Sequence, residues 1–183
     1  MNSYLLDTHI LIWLLKGNDR LNKNIREDID YFQHPYYVSV ETLREIVILQ
    51  SLKKIAFDYN LDKIIFLLQE RQINILPIEA KHIKALEKLP VSRTDRKIHE
   101  EPFDRMLIAQ AIADKQILVS SDAKFPFYKD YGLQLLVADK NVSTQAEETV
   151  SARDRIKPRG LWGIMKGKIH YDKDADIFNL GPL

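Results

Sequence analysis

The sequence predicts an α/β domain built on a mainly parallel sheet. Short apolar runs rich in β-branched and aromatic residues recur along the chain, and segments with helical apolar spacing separate them. Two of those runs end directly on an aspartate. A length of 183 residues with 45% hydrophobic content suits one compact domain plus an appendage.

The elements follow in order. Residues 3–7 (SYLLD) read as a buried strand closing on a carboxylate, and 9–15 (HILIWLL) as an apolar helix stopped at Gly17. A helical stretch is expected around 24–32, then a β-rich run, YYVSV, at 36–40 after Pro35. Leu43, Ile46, Val47 and Leu49 fall at helical spacing within 41–52. A helix over 61–71, a short strand at 74–78 and a helix over 79–88 come next. The stretch 90–101 has no apolar periodicity and reads as a loop. Pro102 then opens a helix in the first-turn position that proline favours, burying Met106, Leu107, Ile108 and Ala111. ILVSS (117–121) is a buried strand followed at once by Asp122, and LQLLV (133–137) is the last strand.

Composition excludes several classes. No apolar run approaches the roughly 18 residues of a membrane span, and Asp7 and His9 interrupt the apolar start, which lacks a signal peptide's basic flank and cleavage site. There is no cysteine, hence no disulfide and no thiolate metal site. A cytoplasmic protein is expected. The net charge is +1, so composition alone does not announce a nucleic-acid partner. Its distribution says more, because the C-terminal segment is basic through Arg153–Lys168 and then acidic at Asp172, Asp174 and Asp176.

Four acids stand out. Asp7 and Asp122 each follow a buried strand, and ligands of open parallel sheets bind outside the carboxyl ends of the strands. Asp104 lies in the first turn of its helix, near the free N–H groups, and Glu45 lies one turn into the helix after 36–40. Taken singly, each has an ordinary explanation as turn former, cap or solvated face. Gathered at one sheet edge without buried cations, they would repel one another unless a divalent cation resolved the charge. Hard oxygen ligands select Mg2+ or Mn2+.

The blocks LLDTHILIWLL (5–15), VSVETLREIVI (38–48), EPFDRMLIAQA (101–111) and LVSSDAKFPFY (118–128) resemble the signature blocks of the PIN domain, and more narrowly of VapC-like toxins of bacterial toxin–antitoxin pairs. The resemblance spans roughly residues 3–137. It implies a three-layer α/β/α fold and endoribonucleolytic cleavage dependent on Mg2+ or Mn2+. It places the acidic site on Asp7, Glu45, Asp104 and Asp122, with Ser120 as the accompanying hydroxyl, Thr8 after the first acid and Arg105 after the helix acid as an RNA contact. It further implies an RNA substrate, a cognate antitoxin and a homodimer. Arg44 stands where the family commonly has tryptophan, and Glu101 where it often has aspartate; neither is expected to touch the four acids. Arg93, Arg96 and Lys97 in the 90–101 loop are candidates for RNA phosphate contacts, although a solvated loop is the plainer explanation. His9 and His99 are not placed as a catalytic pair.

The domain is expected to occupy residues 1–139, followed by a polar linker over 140–158 and an extended tail over 159–183. The stretch KPRGLWGIMKGKIHYDKDADIF (157–178) is similar to the toxin-wrapping segment of antitoxins. Arg159, Lys166 and Lys168 offer cations to a carboxylate site, and Trp162 and Ile164 offer apolar anchors. Self-inhibition by this tail is the expectation. The alternative is an inactive PIN fold serving as an RNA-binding or scaffold module, with the tail as an RNA-binding arm. A phosphate-signalling receiver domain also gathers aspartates at strand ends, but Lys140 is a poor match to its lysine.

Overall fold

The computed structural model describes residues 2–56, 59–90 and 101–139. Five strands, β1 (Tyr4–Leu6), β2 (Tyr36–Ser39), β3 (Ile73–Leu76), β4 (Ile117–Ser120) and β5 (Gln134–Val137), form one sheet in the order β3-β2-β1-β4-β5. Every pairing in it is parallel. The helices are α1 (Thr8–Leu15), α2 (Lys23–Asp30), α3 (Val40–Ser51), α4 (Leu61–Glu70), α5 (Ala80–Lys88) and α6 (Pro102–Ala113), with a 3-10 turn over Phe125–Tyr131.

The alternation of strand side chains divides the core into two layers. In register across the sheet, Leu6, Val38 and Val119 face a cluster that includes Ile10, Leu14, Ile25, Ile46 and Leu68. Their neighbours Leu5 and Leu118 point the other way, onto Leu107, Ile108, Phe125 and Tyr128. Helices therefore cover both faces, giving the α/β/α layering. Met106, expected in the core, is only half-buried; Leu107, Ile108, Ala109 and Ala111 fill that face of α6 instead.

Local chemistry fixes where the helices start. Asn22 caps α2 by accepting from the Asn24 N–H, and Asn60 caps α4 by accepting from the Lys63 N–H. Ser39 caps α3 by accepting from the Glu41 N–H at 3.0 Å, while its hydroxyl donates to Gln110 Oε1 at 2.6 Å. The α3 N-terminus is thereby tied to the middle of α6. Gly17 leaves α1 with φ +64°, a left-handed conformation that suits a residue without Cβ. Phe32, Lys53, Gln72 and Lys115 adopt the same conformation just beyond α2, α3, α4 and α6.

At the far end of β5, the Ala138 N–H donates to the Ser120 carbonyl at 3.0 Å. Asp139 then bridges Leu21, and its carboxylate takes the Arg20 guanidinium at 2.8 Å. That guanidinium lies 4.3 Å over the Trp13 ring on α1. No helix among the described residues is long and apolar enough to cross a membrane.

Candidate active site

The order β3-β2-β1-β4-β5 places the topological switch between β1 and β4. Ligands of open parallel sheets bind at such a switch point, outside the carboxyl ends of the strands. Asp7 is the residue after β1, and its backbone N–H donates to the Val119 carbonyl of β4 at 3.1 Å. It also precedes α1, yet its carboxylate makes no capping bond to that helix. Instead Asp7 Oδ2 accepts from the Ser120 hydroxyl at 2.7 Å. The same Ser120 oxygen accepts the Asp122 N–H at 3.1 Å. One buried hydroxyl thus joins the acids that follow the two central strands. Asp122 itself is half-buried, with Oδ1 accepting from the Lys124 N–H at 2.7 Å.

Glu45 enters from α3, one turn after the Ser39 cap. Its Oε2 accepts from the Thr8 hydroxyl at 2.7 Å in a fully buried contact. Asp104 enters from the first turn of α6. Asp7, Glu45 and Asp104 are 4%, 4% and 9% exposed. Asp7 acts electrostatically on both Glu45 and Asp104. Burial pushes the Glu45 carboxyl up to about 7; the Thr8 bond opposes this, the Asp7 charge adds to it, His9 opposes it and Glu101 adds to it. Burial also holds Asp104 well above the usual carboxylate range, with Asp7, Glu101 and Glu45 adding to the effect.

One expectation needs correction. Glu101 does bear on the site: it is 6% exposed, and its proximity adds to the upward shift of both Asp104 and Glu45. An acid at the residue before α6, three positions from Asp104, is the sequence signal that could have found it. His9 stands near enough to Glu45 to lower its affinity for protons. Arg44 binds Glu41, with Nε at 2.9 Å, and lies 4.6 Å over the Phe103 ring. It therefore ties α3 to α6 beside the two acids those helices carry. Arg105 donates through Nη1 to the Pro90 carbonyl at 2.7 Å and through Nη2 to that of Leu89 at 3.4 Å, so its guanidinium secures the end of α5. Arg93, Arg96, Lys97 and the tail residues Arg159, Trp162, Ile164, Lys166 and Lys168 lie outside the described residues.

The donor chemistry fits a hard divalent cation. The salt bridges among the described residues include none to Asp7, Glu45 or Glu101. Buried anions without cations either bind protons or bind a metal. As placed, no three acidic or histidine side chains among the described residues form a ready-made metal-binding group. The Glu45 and Asp7 carboxylates accept instead from the Thr8 and Ser120 hydroxyls.

Comparison with known proteins agrees with this architecture. The structure is similar to that of VapBC2 from Rickettsia felis bound to a DNA fragment from their promoter, with TM-score 0.58 and 19% identity over 75% of this chain and 99% of that one. It is also similar to VapBC-1 from nontypeable Haemophilus influenzae, with TM-score 0.51 and 21% identity over 73% of this chain and 96% of that one. At these identities the likeness is one of fold. No curated protein matches the chain in sequence. The PIN domain matches residues 4–130, which contain every acid of the site. With that match covering more than half its length, the chain belongs to the PIN-domain family.

Proposed function

We propose that this chain is a divalent-cation-dependent endoribonuclease, the toxin of a toxin–antitoxin pair. The observation that carries this reading is the convergence of buried Asp7, Glu45 and Asp104 at the β1–β4 switch point, with Asp122 joined through Ser120. Asp7, Glu45, Asp104 and Asp122 would hold the ion, and the likeness in fold to VapBC structures supports the toxin assignment. Mg2+ or Mn2+ held there supplies the Lewis acidity that phosphodiester hydrolysis requires.

The protein's own contribution is orientation. Ser120 holds the Asp7 carboxylate, and Thr8 holds the Glu45 carboxylate. The Ser39–Gln110 bond and the Arg44–Phe103 contact fix α3 against α6, and with it the separation of Glu45 from Asp104. RNA is the substrate in this reading, with Arg93, Arg96 and Lys97 as phosphate contacts. A homodimer and a cognate antitoxin are the partners. The segment 159–183 acts as a tethered inhibitor, with Arg159, Lys166 and Lys168 bringing cations to the acids while Trp162 and Ile164 anchor on apolar surface.

The test is cleavage of total RNA by the full-length chain with Mg2+, with Mn2+ and with EDTA. Cleavage should require the cation and disappear in Asp104→Asn. Cleavage that persists in EDTA overturns the proposal.

A further inference from the structure

The amino ends of β2 and β3 lie at the opposite end of the sheet from the acids, because the strands are parallel and Asp7 follows the carboxyl end of β1. An open cavity of about 650 Å3 lies there, lined by residues at the ends of α2 and α4. That is a volume typical of small-molecule sites. The wall contributed by His34 and Tyr36 is tied down. One oxygen of Asp28 bonds His34 Nδ1 at 2.8 Å, and the other accepts from the Tyr36 hydroxyl at 2.5 Å. The Tyr36 ring also stacks on Tyr4, with centroids 5.0 Å apart. No aspartate or glutamate is among the described residues that line the cavity, whereas Arg71 is.

Arg71 is poorly matched by its surroundings. It belongs to no ion pair among the described residues, and its Nε is buried with no hydrogen-bond partner there. Its Nη1 reaches the Leu67 carbonyl only at 3.5 Å, a long and weak contact. A buried guanidinium N–H without an acceptor is destabilising, and the planar fork fits two oxygens of a phosphate. Gln72 and Asn74, which also line the cavity, carry amides that donate and accept as the edge of a nucleobase does. Phe32, 50% exposed, offers a ring on which a base can stack. Phe32 and Gln72 hold these places at φ +53°, a left-handed conformation in which glycine is less strained.

We propose that this cavity is a nucleotide-binding site, with the phosphate on the Arg71 guanidinium and the base against Phe32. It is separate from the acids at the other end of the sheet and requires no cation. It stands or falls independently of the ribonuclease reading.

The experiment titrates the isotope-labelled full-length chain with adenosine monophosphate in EDTA, which removes any metal from the acids, and follows the amide resonances. Shifts should centre on residues 32–36 and 69–74. Arg71→Gln should weaken binding by about 10-fold or more. Phe32→Gly should weaken it by about 5-fold or more, while relief of the left-handed backbone holds its melting temperature close to the parent's. If one of these variants does not fold, the other decides. No binding at millimolar nucleotide, shifts centred on Asp7 and Asp104, or equal affinity in the folded variants overturns the proposal. Inorganic phosphate bound as tightly as the nucleotide also overturns it, since the base would then contribute nothing.

Discussion

The metal-free protein should lose stability as pH rises through the range in which Glu45 ionises. Its carboxyl sits at about 7 in the fold against 4.5 ordinarily. Between those values the folded state binds a proton that the unfolded chain has released. Unfolding free energy therefore falls with rising pH across this window; the group's contribution is flat below it and fully lost above it. At about 1.4 kcal/mol per pKa unit, the shift corresponds to a destabilisation of up to about 3 kcal/mol above neutrality. Asp104 is raised for the same principal reason and acts in the same direction. Glu45→Gln keeps an acceptor for the Thr8 hydroxyl but cannot ionise. In EDTA it should be more stable than the parent by up to about 3 kcal/mol on the alkaline side of the window, roughly 10 °C in melting temperature for a domain of this size. It should have no advantage on the acid side. Urea denaturation of both proteins across pH, with and without Mg2+, reads this directly, and added Mg2+ should restore the parent where the acids are ionised. A parent stability that is level across the window, or a Glu45→Gln protein less stable at its alkaline end, would refute the reasoning.

Other consequences are simpler to test. Asp7→Asn and Asp104→Asn should each abolish cation-dependent RNA cleavage while leaving the metal-free melting temperature equal or higher, since like-charge repulsion is relieved. Reversing the charges of Arg93, Arg96 and Lys97 together should weaken RNA binding and reduce the slope of its salt dependence by up to about 3, one for each phosphate no longer neutralised; an unaltered slope would mean a merely solvated loop. A chain ending at Asp139 should cleave RNA faster than the full-length chain, and Arg159→Ala with Trp162→Ala should recover part of that gain. Equal rates would exclude inhibition by the tail.

Much of the architecture could be read from the sequence because the core strands carry their own signal. YLLD and ILVSSD are apolar runs that stop on a polar residue, and buried parallel strands have little other way to end at a ligand-binding edge. The acids that follow them, and their meeting at β1 and β4, were legible for the same reason. Helix ends were not. Phe32, Lys53, Gln72 and Lys115 take the left-handed conformation that sequence patterns assign to glycine, so those helices stop a residue or two from where periodicity alone would stop them. The 3-10 turn over Phe125–Tyr131 was also hidden, because its buried Phe125 and Tyr128 lie three apart around a proline, without enough length to show a period. Glu101 was hidden by its burial. Spacing placed it one turn from Asp104, but only the structure shows it 6% exposed and without a cap bond to the helix amides.

The clamp at the end of β5 sets where anything attached to the domain begins. Ala138 hydrogen-bonds the residue whose hydroxyl holds Asp7, and Asp139 is locked to Arg20 over Trp13. Asp139, the last described residue, thus leaves the sheet at the same edge as Ser120. For a tethered segment, the chance of arriving at a target depends on how far its anchor stands from it. A peptide grafted after Asp139 would start from that edge of the sheet, which makes the position a natural place to attach a controllable plug. A cut made before Arg20's partner, by contrast, would release the anchor and loosen the strand that borders Ser120.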